Sequence, residues 1–300
     1  MKVLVAARIS EEGIKKLKER YEVEIIYNPE ESELVEKIKD FDGLVVRSKP
    51  KVTKKVIEAG KNLKVIGRAG VGLDNIDLEA AKERGIKVVN SPKASSESVA
   101  ELVFALALAL ARKITKADTA LRNKKWIKKE LMGIELSGKT VGIIGYGRIG
   151  AHVAKIASGF GMKCIAYDVI INEELAKKYG VIYKSLEEVL KESDIITLHV
   201  PLIPQTKHMI GKEQFKIMKN TAILVNASRG GTIDEEALYD ALKNNEIYGA
   251  CLDVFENEPP LNSPLLKLDN VVFTQHLGAS TKEAQRKAGI MIAEEIMKIL

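Results

Sequence analysis

Thr140-Val141-Gly142-Ile143-Ile144-Gly145-Tyr146-Gly147-Arg148-Ile149-Gly150 decides how this chain is read. A β-branched apolar run of strand length passes straight into three glycines at Gly-x-Gly-x-x-Gly spacing, and residues 148–160 then repeat apolar positions with a helical period. In that context each glycine has its own task. Gly145 permits a tight turn, Gly147 lets the backbone approach a pyrophosphate, and Gly150 lets the helix pack against the strand, with the first helical amides facing the anion. The next strand, 163–167, ends at Asp168, where a carboxylate accepts hydrogen bonds from an adenosine ribose. Strand, turn, helix and acid together predict a dinucleotide fold, since a plain tight turn would need none of the other three. Asp168 would repel a 2′-phosphate and Val169-Ile170-Ile171 offers no cation to receive one, so the expected cofactor is NAD rather than NADP.

Working outward, strands recur at 195–199, 222–226, 249–253 and 271–274, separated by helical stretches at 173–179, 186–192, 213–217 and 235–244. That is a complete doubly wound domain. Ahead of it a second alternating series, with strands at 2–6, 23–26, 43–47, 65–67 and 86–89, predicts another mostly parallel sheet covered by helices on both faces. Residues 95–112 form a long, almost wholly apolar helical stretch with serines available to cap its start. Such a helix calls for burial on every side, between domains or in a subunit interface. The tail 281–300 is amphipathic with no strand after it, so it is expected to fold back onto the first domain. The expected architecture is therefore α/β with two doubly wound parallel-sheet domains. A Rossmann cofactor domain over 95–279 is inserted into a flavodoxin-like substrate-binding domain built from 1–94 and 280–300.

Composition excludes other classes. The chain has 300 residues, 46% hydrophobic and 29% charged, a well-mixed balance that rules out disordered, collagen-like or disulfide-stapled chains. The formal charge of +6 is spread thinly, with both signs alternating and no basic arm, so no nucleic-acid partner is expected. The most apolar run, 102–111, is about half the ~20 residues a bilayer crossing needs. The N-terminus lacks the apolar core and cleavage site of a signal peptide. Cys164 and Cys251 each lie in apolar segments without a neighbouring ligand, reading as buried hydrophobes in a reducing cytoplasm rather than as a disulfide or metal site.

Three polar residues stand at the carboxyl ends of consecutive strands in the second half: Arg229, Glu258 and His276. Open parallel sheets bind ligands at that edge. A cationic fork, a carboxylate and an imidazole together suit oxidation of a hydroxy acid: Arg229 pairs bidentately with the substrate carboxylate, His276 takes the hydroxyl proton and Glu258 orients the ring. A second glycine cluster, Gly67-Arg68-Ala69-Gly70-Val71-Gly72, lacks a third glycine in register and a following acid. It reads as a loop facing the cleft between domains, where Arg68 and the amides of Gly70, Val71 and Gly72 could hold an anionic substrate; the alternative is a structural turn. His152, His199 and His208 have no partner at metal spacing, and His199 reads as a packed, hydrogen-bonded residue near the cofactor edge.

The residues just quoted, with Val46-Arg47-Ser48, Ser98-Val99-Ala100-Glu101-Leu102, His199-Val200-Pro201-Leu202, 226–234, 252–260 and 276–281, resemble the D-isomer-specific 2-hydroxyacid dehydrogenase family nearly end to end. The family's catalytic Arg, Glu and His fall on Arg229, Glu258 and His276. The resemblance implies cofactor contacts from Arg148, Ile149, Asp168, Val200, Pro201, Thr206, Ala227, Asp253, Gly278 and Ala279. It also implies a homodimer or higher oligomer formed through the apolar helix after Ser95. On the residues alone Arg47 and Arg68 read as surface arginines; the resemblance implies that Arg47-Ser48 and Arg68 hold a substrate phosphate. The substrate implied is 3-phospho-D-glycerate, with glyoxylate or hydroxypyruvate reduction as the alternative. The rival from another class is an NAD-sensing binding protein, against which the intact Arg229, Glu258 and His276 set argues. Members acting on phosphoglycerate often carry a further regulatory domain, whereas this chain stops inside a helix at Leu300, so feedback through such a domain is not expected.

Overall fold

The computed structural model describes residues 1–300, which divide into two compact units, Met1–Ser98 with Ala279–Leu300 and Val99–Gly278. The divisions fall at Ser98 and Gly278, against expected boundaries of 94 and 279. In the first unit, strands β1 (Lys2–Val5), β2 (Glu22–Ile25), β3 (Gly43–Val46), β4 (Val65–Arg68) and β5 (Lys87–Asn90) alternate with helices α1 (Glu11–Lys18), α2 (Glu31–Lys37), α3 (Lys54–Ala59) and α4 (Leu78–Glu83). All strand pairs are parallel, in the order β2-β1-β3-β4-β5. That is the flavodoxin-like order. Strand periodicity builds two cores: Leu4, Leu44 and Ile66 meet Leu34, Ile38 and Ile57 on one face, while Val3, Val5, Val45 and Val65 point to the other.

Helices α5 (Ser96–Ala111) and α6 (Ile114–Arg122) precede the second sheet. It contains β6 (Thr140–Ile144), β7 (Lys163–Tyr167), β8 (Val181–Tyr183), β9 (Ile195–Leu198), β10 (Ile223–Asn226), β11 (Gly249–Leu252) and β12 (Val271–Phe273). The connecting helices are α7 (Arg148–Gly159), α8 (Glu173–Tyr179), α9 (Leu186–Glu192), α10 (Lys212–Ile217) and α11 (Glu235–Lys243). The order β12-β11-β10-β9-β6-β7-β8 is that of a dinucleotide fold with one added strand. The final helix, α12 (Lys282–Met297), belongs to the first unit and packs on α1, β4 and β5. Its Ile292 and Ile296 complete the second core of that unit.

Three elements are absent from the sequence reading, each for a local reason. α4 is only six residues long and is marked by one cap, Asp77, whose carboxylate accepts the Ala80 N–H. α6 begins without Gly or Pro, because Lys113 itself takes the left-handed conformation that ends α5 (φ 53°). β8 has three residues at the sheet edge, one of them the exposed Ile182. The single chain does not by itself supply the burial expected for α5 between domains or in a subunit interface. Within this chain Glu97, Glu101 and Ala105 form an exposed stripe at helical spacing, flanked by half-buried Leu102 and Leu108.

Candidate active site

The carboxyl edge of the second sheet is shaped first by the glycine turn after β6. Gly145 has φ +94°, and a Cβ there would sit 2.7 Å from the His199 carbonyl oxygen, so both conformation and space demand glycine. A Cβ at Gly147 would meet nothing within 4 Å, whereas one at Gly150 would press to 2.8 Å on the Gly145 oxygen. Gly147 caps α7 without any side-chain hydrogen bond to the helix amides. Open space in front of uncapped helical N–H groups is what a pyrophosphate requires, so the residues present fit a dinucleotide. Arg148 is exposed and Ile149 half-buried beside it. Asp168, just past β7, accepts the Ile170 N–H at 2.9 Å and is followed by the exposed, uncharged Val169, Ile170 and Ile171.

Further along the same edge, His276 Nδ1 lies 2.9 Å from Glu258 Oε2 and 3.1 Å from Oε1. The ring is aimed by an unusual backbone: His276 is left-handed at φ +56°. Asp253 explains how that conformation is held. Fully buried after β11, it accepts the Thr274 hydroxyl at 2.7 Å and the Leu277 N–H at 2.6 Å on Oδ1, the Gly278 N–H at 2.9 Å on Oδ2, and the His276 N–H at 2.8 Å on its carbonyl. Asp253 and Gly278, both expected against the cofactor, are thus bonded to each other. Thr274 was not singled out in the sequence because its partner is 21 positions away.

Arg229 stands on a turn built by Asn226, which ends β10. Asn226 Oδ1 accepts the Ser228 N–H at 3.1 Å and hydroxyl at 2.8 Å, while its Nδ2 donates to the Arg229 carbonyl at 3.0 Å. Thr232 Oγ1 donates to the same carbonyl at 2.8 Å, and Arg229 Nη1 donates to the Ser228 carbonyl at 2.7 Å. Ala227 is buried in this turn. Asn226 and Thr232 hold the backbone of a functional candidate without being candidates by residue type, which is why the sequence did not single them out.

In the loop after β9, Thr206 Oγ1 donates to the Pro201 carbonyl at 2.5 Å and accepts the Ile203 N–H at 2.9 Å, closing the segment that starts at Val200. His199 is packed at the head of this loop, its Nε2 3.0 Å from Thr197 Oγ1 and its buried Nδ1 without a partner. Burial pushes its pKa down to about 3. The unfolded chain titrates near 6.5, so below that pH it binds a proton the folded imidazole refuses. The contribution is present above about pH 6.5 and is lost by roughly 1.4 kcal/mol per unit as pH falls towards 3. Denaturant midpoints between about pH 6.5 and 4.5 should therefore fall less steeply for His199→Gln than for the wild type, and equal slopes would refute this.

In the first unit, Arg47 and Arg68 sit at the carboxyl ends of the adjacent strands β3 and β4. Arg47 is half-buried and donates to the Arg8 carbonyl at 3.5 Å; desolvation pulls its guanidinium below the ordinary value. Ser48 beside it is exposed. Arg68 folds over Gly70, where a Cβ would meet Nη1 at 2.2 Å. The Gly70 N–H is donated to the Arg68 carbonyl at 2.8 Å, so of the three loop amides expected to face an anion, those of Val71 and Gly72 are the ones not used inside the loop. Arg8, after β1, adds a cation the sequence reading passed over; its guanidinium lies 5.2 Å from the centre of the Tyr27 ring. Ala279 also belongs to this unit, its carbonyl accepting from Gln285 Nε2 at 2.6 Å.

Comparison with known proteins finds relatives along the whole chain. The model of the D-isomer specific 2-hydroxyacid dehydrogenase NAD-binding domain matches residues 104–278. The chain is 56% identical to the D-3-phosphoglycerate dehydrogenase of Methanocaldococcus jannaschii, covering 100% of this chain and 57% of that one. It thus spans little more than half the length of that relative. The hydroxypyruvate reductase of Thermotoga maritima is 55% identical, over 90% of this chain and 89% of the other. Among solved structures, the TT0316 protein from Thermus thermophilus superposes with a TM-score of 0.91 at 36% identity, covering 100% of this chain and 96% of that one.

Proposed function

Because the chain belongs to the D-isomer specific 2-hydroxyacid dehydrogenase family, we propose that it oxidises 3-phospho-D-glycerate to 3-phosphohydroxypyruvate with NAD. The observation that carries the reading is the 2.9 Å bond between His276 Nδ1 and Glu258, at the strand edge that also bears Arg229. A ring nitrogen facing a carboxylate keeps its proton, so Nε2 presents the lone pair and acts as the base. As the ketone forms, His276 takes the hydroxyl proton at Nε2, and Glu258 offsets the positive charge that develops on the ring. Arg229 holds the substrate carboxylate bidentately, which fixes C2 relative to the imidazole. NAD, held by the glycine turn and Asp168, supplies the hydride acceptor.

The phosphate falls to Arg47 and Arg68. A guanidinium that is partly desolvated, as Arg47 is, gains most from an anionic partner. The second reading, reduction of hydroxypyruvate or glyoxylate, is favoured by one observation: the chain is 55% identical to the hydroxypyruvate reductase relative, against 56% to the phosphoglycerate dehydrogenase. Two copies pair through α5, whose stripe of Glu97, Glu101 and Ala105 is exposed in the single chain. Purified protein assayed with 3-phosphoglycerate and NAD, and with phosphohydroxypyruvate, hydroxypyruvate and glyoxylate and NADH, tests the substrate. The phosphorylated pair should give the highest kcat/KM. Arg47→Ala and Arg68→Ala should mainly raise its KM, because remote phosphate binding is alike in ground and transition states. Faster turnover of glyoxylate or unphosphorylated hydroxypyruvate would replace this reading with the second.

A further inference from the structure

We infer that Glu256 is a positioning residue that holds Glu258 against His276, through a node it forms with Glu235 and His208; the inference rests on the role proposed above for the His276 and Glu258 pair. Two segments are stitched reciprocally at this node. The Glu256 N–H donates to Glu235 Oε1 at 2.7 Å, and the Glu235 N–H donates to Glu256 Oε1 at 3.1 Å. The two backbones run so close beside it that a Cβ on Gly230 would fall 1.8 Å from the Phe255 oxygen and 2.8 Å from the Glu256 nitrogen. From there the Phe255 N–H, one residue back, donates to Glu258 Oε1 at 3.2 Å, the same oxygen that lies 3.1 Å from His276 Nδ1. A continuous run of hydrogen bonds and backbone thus leads from the first turn of α11 to the imidazole.

His208 ties in the third segment. Its Nε2 lies 3.0 Å from Glu256 Oε1, its Nδ1 3.9 Å from Asp234 Oδ2, and its backbone N–H donates to the Gly231 carbonyl at 2.7 Å. The node therefore joins the segments that carry Arg229, Glu258 and Thr206. Asp234 caps α11 by accepting the Glu236 and Ala237 N–H groups, and Glu256 accepts the Glu235 N–H ahead of them, so one of its bonds also serves the start of that helix. Capping accounts for that one bond, not for the return bond from the Glu256 N–H to Glu235 or for the contact with His208. Asp234 and Glu256 both lie against His208, and burial, with the Glu256 and Glu258 charges adding to it, pushes the Glu235 carboxyl up. An arrangement that costs charge repulsion yet fixes a turn two residues from Glu258 is explained by the geometry it imposes there.

The test compares pH–rate profiles of wild type, Glu256→Ala, Glu256→Gln and Glu258→Gln, with NAD affinity read by fluorescence and folding by thermal melting. Glu256→Ala should lower kcat roughly tenfold and move the same limb of the profile as Glu258→Gln, in the same direction but by less, with KM and NAD affinity unchanged. Glu256→Gln keeps an acceptor oxygen and should restore the profile. Should Glu256→Ala fail to fold, Glu235→Ala removes the acceptor of the Glu256 N–H and should move the same limb. A wild-type profile in the alanine variant, beside a shifted one in Glu258→Gln, overturns the inference alone. An unshifted Glu258→Gln profile overturns the reading of the pair, and the inference with it.

Discussion

His276→Asn is expected to lose ~10² to 10⁴-fold in kcat while melting and binding NAD as the wild type does, because the substitution removes the positioned base and little else. The choice of asparagine matters. His276 is left-handed at φ +56°, a conformation that asparagine tolerates and alanine adopts at a cost of roughly 1–2 kcal/mol. Its side chain is 52% exposed, so truncation leaves no cavity to destabilise the domain. Any loss of rate is then chemical rather than structural. The asparagine amide can still reach Glu258 but has no lone pair of comparable basicity to take a proton from the substrate. Steady-state kinetics across pH, with NAD affinity measured by fluorescence, checks the claim. Turnover within a few fold of wild type would remove His276 from the chemistry, and weakened NAD binding at unchanged kcat would make it a cofactor contact instead.

What could be read from the sequence follows the range of the physics. The β6, Gly145-Tyr146-Gly147 and α7 unit is contiguous, and each of its parts announces itself within a few residues. The doubly wound folds were legible for the same reason, since strands buried on both faces read as apolar runs and alternate with charged helices. α4 and β8 escaped because six and three residues are too few to establish a period. The arrangement around His276 escaped for a different reason. Asp253 holds Leu277 across 24 positions and Glu256 holds Glu235 across 21, separations at which no local pattern connects donor to acceptor. Arg229, Glu258 and His276 could be nominated as residue types at strand ends, but the turns that aim them are long-range hydrogen-bond networks which only the folded sheet edge brings together.

Arg229→Ala is expected to reduce kcat/KM for the hydroxy acid by ~10² to 10³, and Arg229→Lys to recover only part of it. A bidentate guanidinium–carboxylate pair makes two charge-assisted bonds, each worth about 1.5–3 kcal/mol, and every 1.36 kcal/mol is tenfold in rate. Water admitted to the vacated site returns some of that energy, which sets the range towards the lower end. Lysine keeps the charge but not the planar fork, so it restores attraction without orientation. The loss should divide between KM and kcat, because the carboxylate is bound in both ground and transition states while its alignment sets how C2 meets the imidazole. Folding should survive. The turn is held by Asn226 Nδ2 and Thr232 Oγ1 on the Arg229 carbonyl, at 3.0 and 2.8 Å, and neither bond involves the guanidinium. NAD affinity should likewise stay within twofold, which separates this variant from one that disturbs the glycine turn. If Arg229→Ala kept kcat/KM within a few fold of wild type, the substrate carboxylate would have to be held elsewhere. The cations of the first unit would be the next to test, beginning with Arg68 over the Gly70 loop.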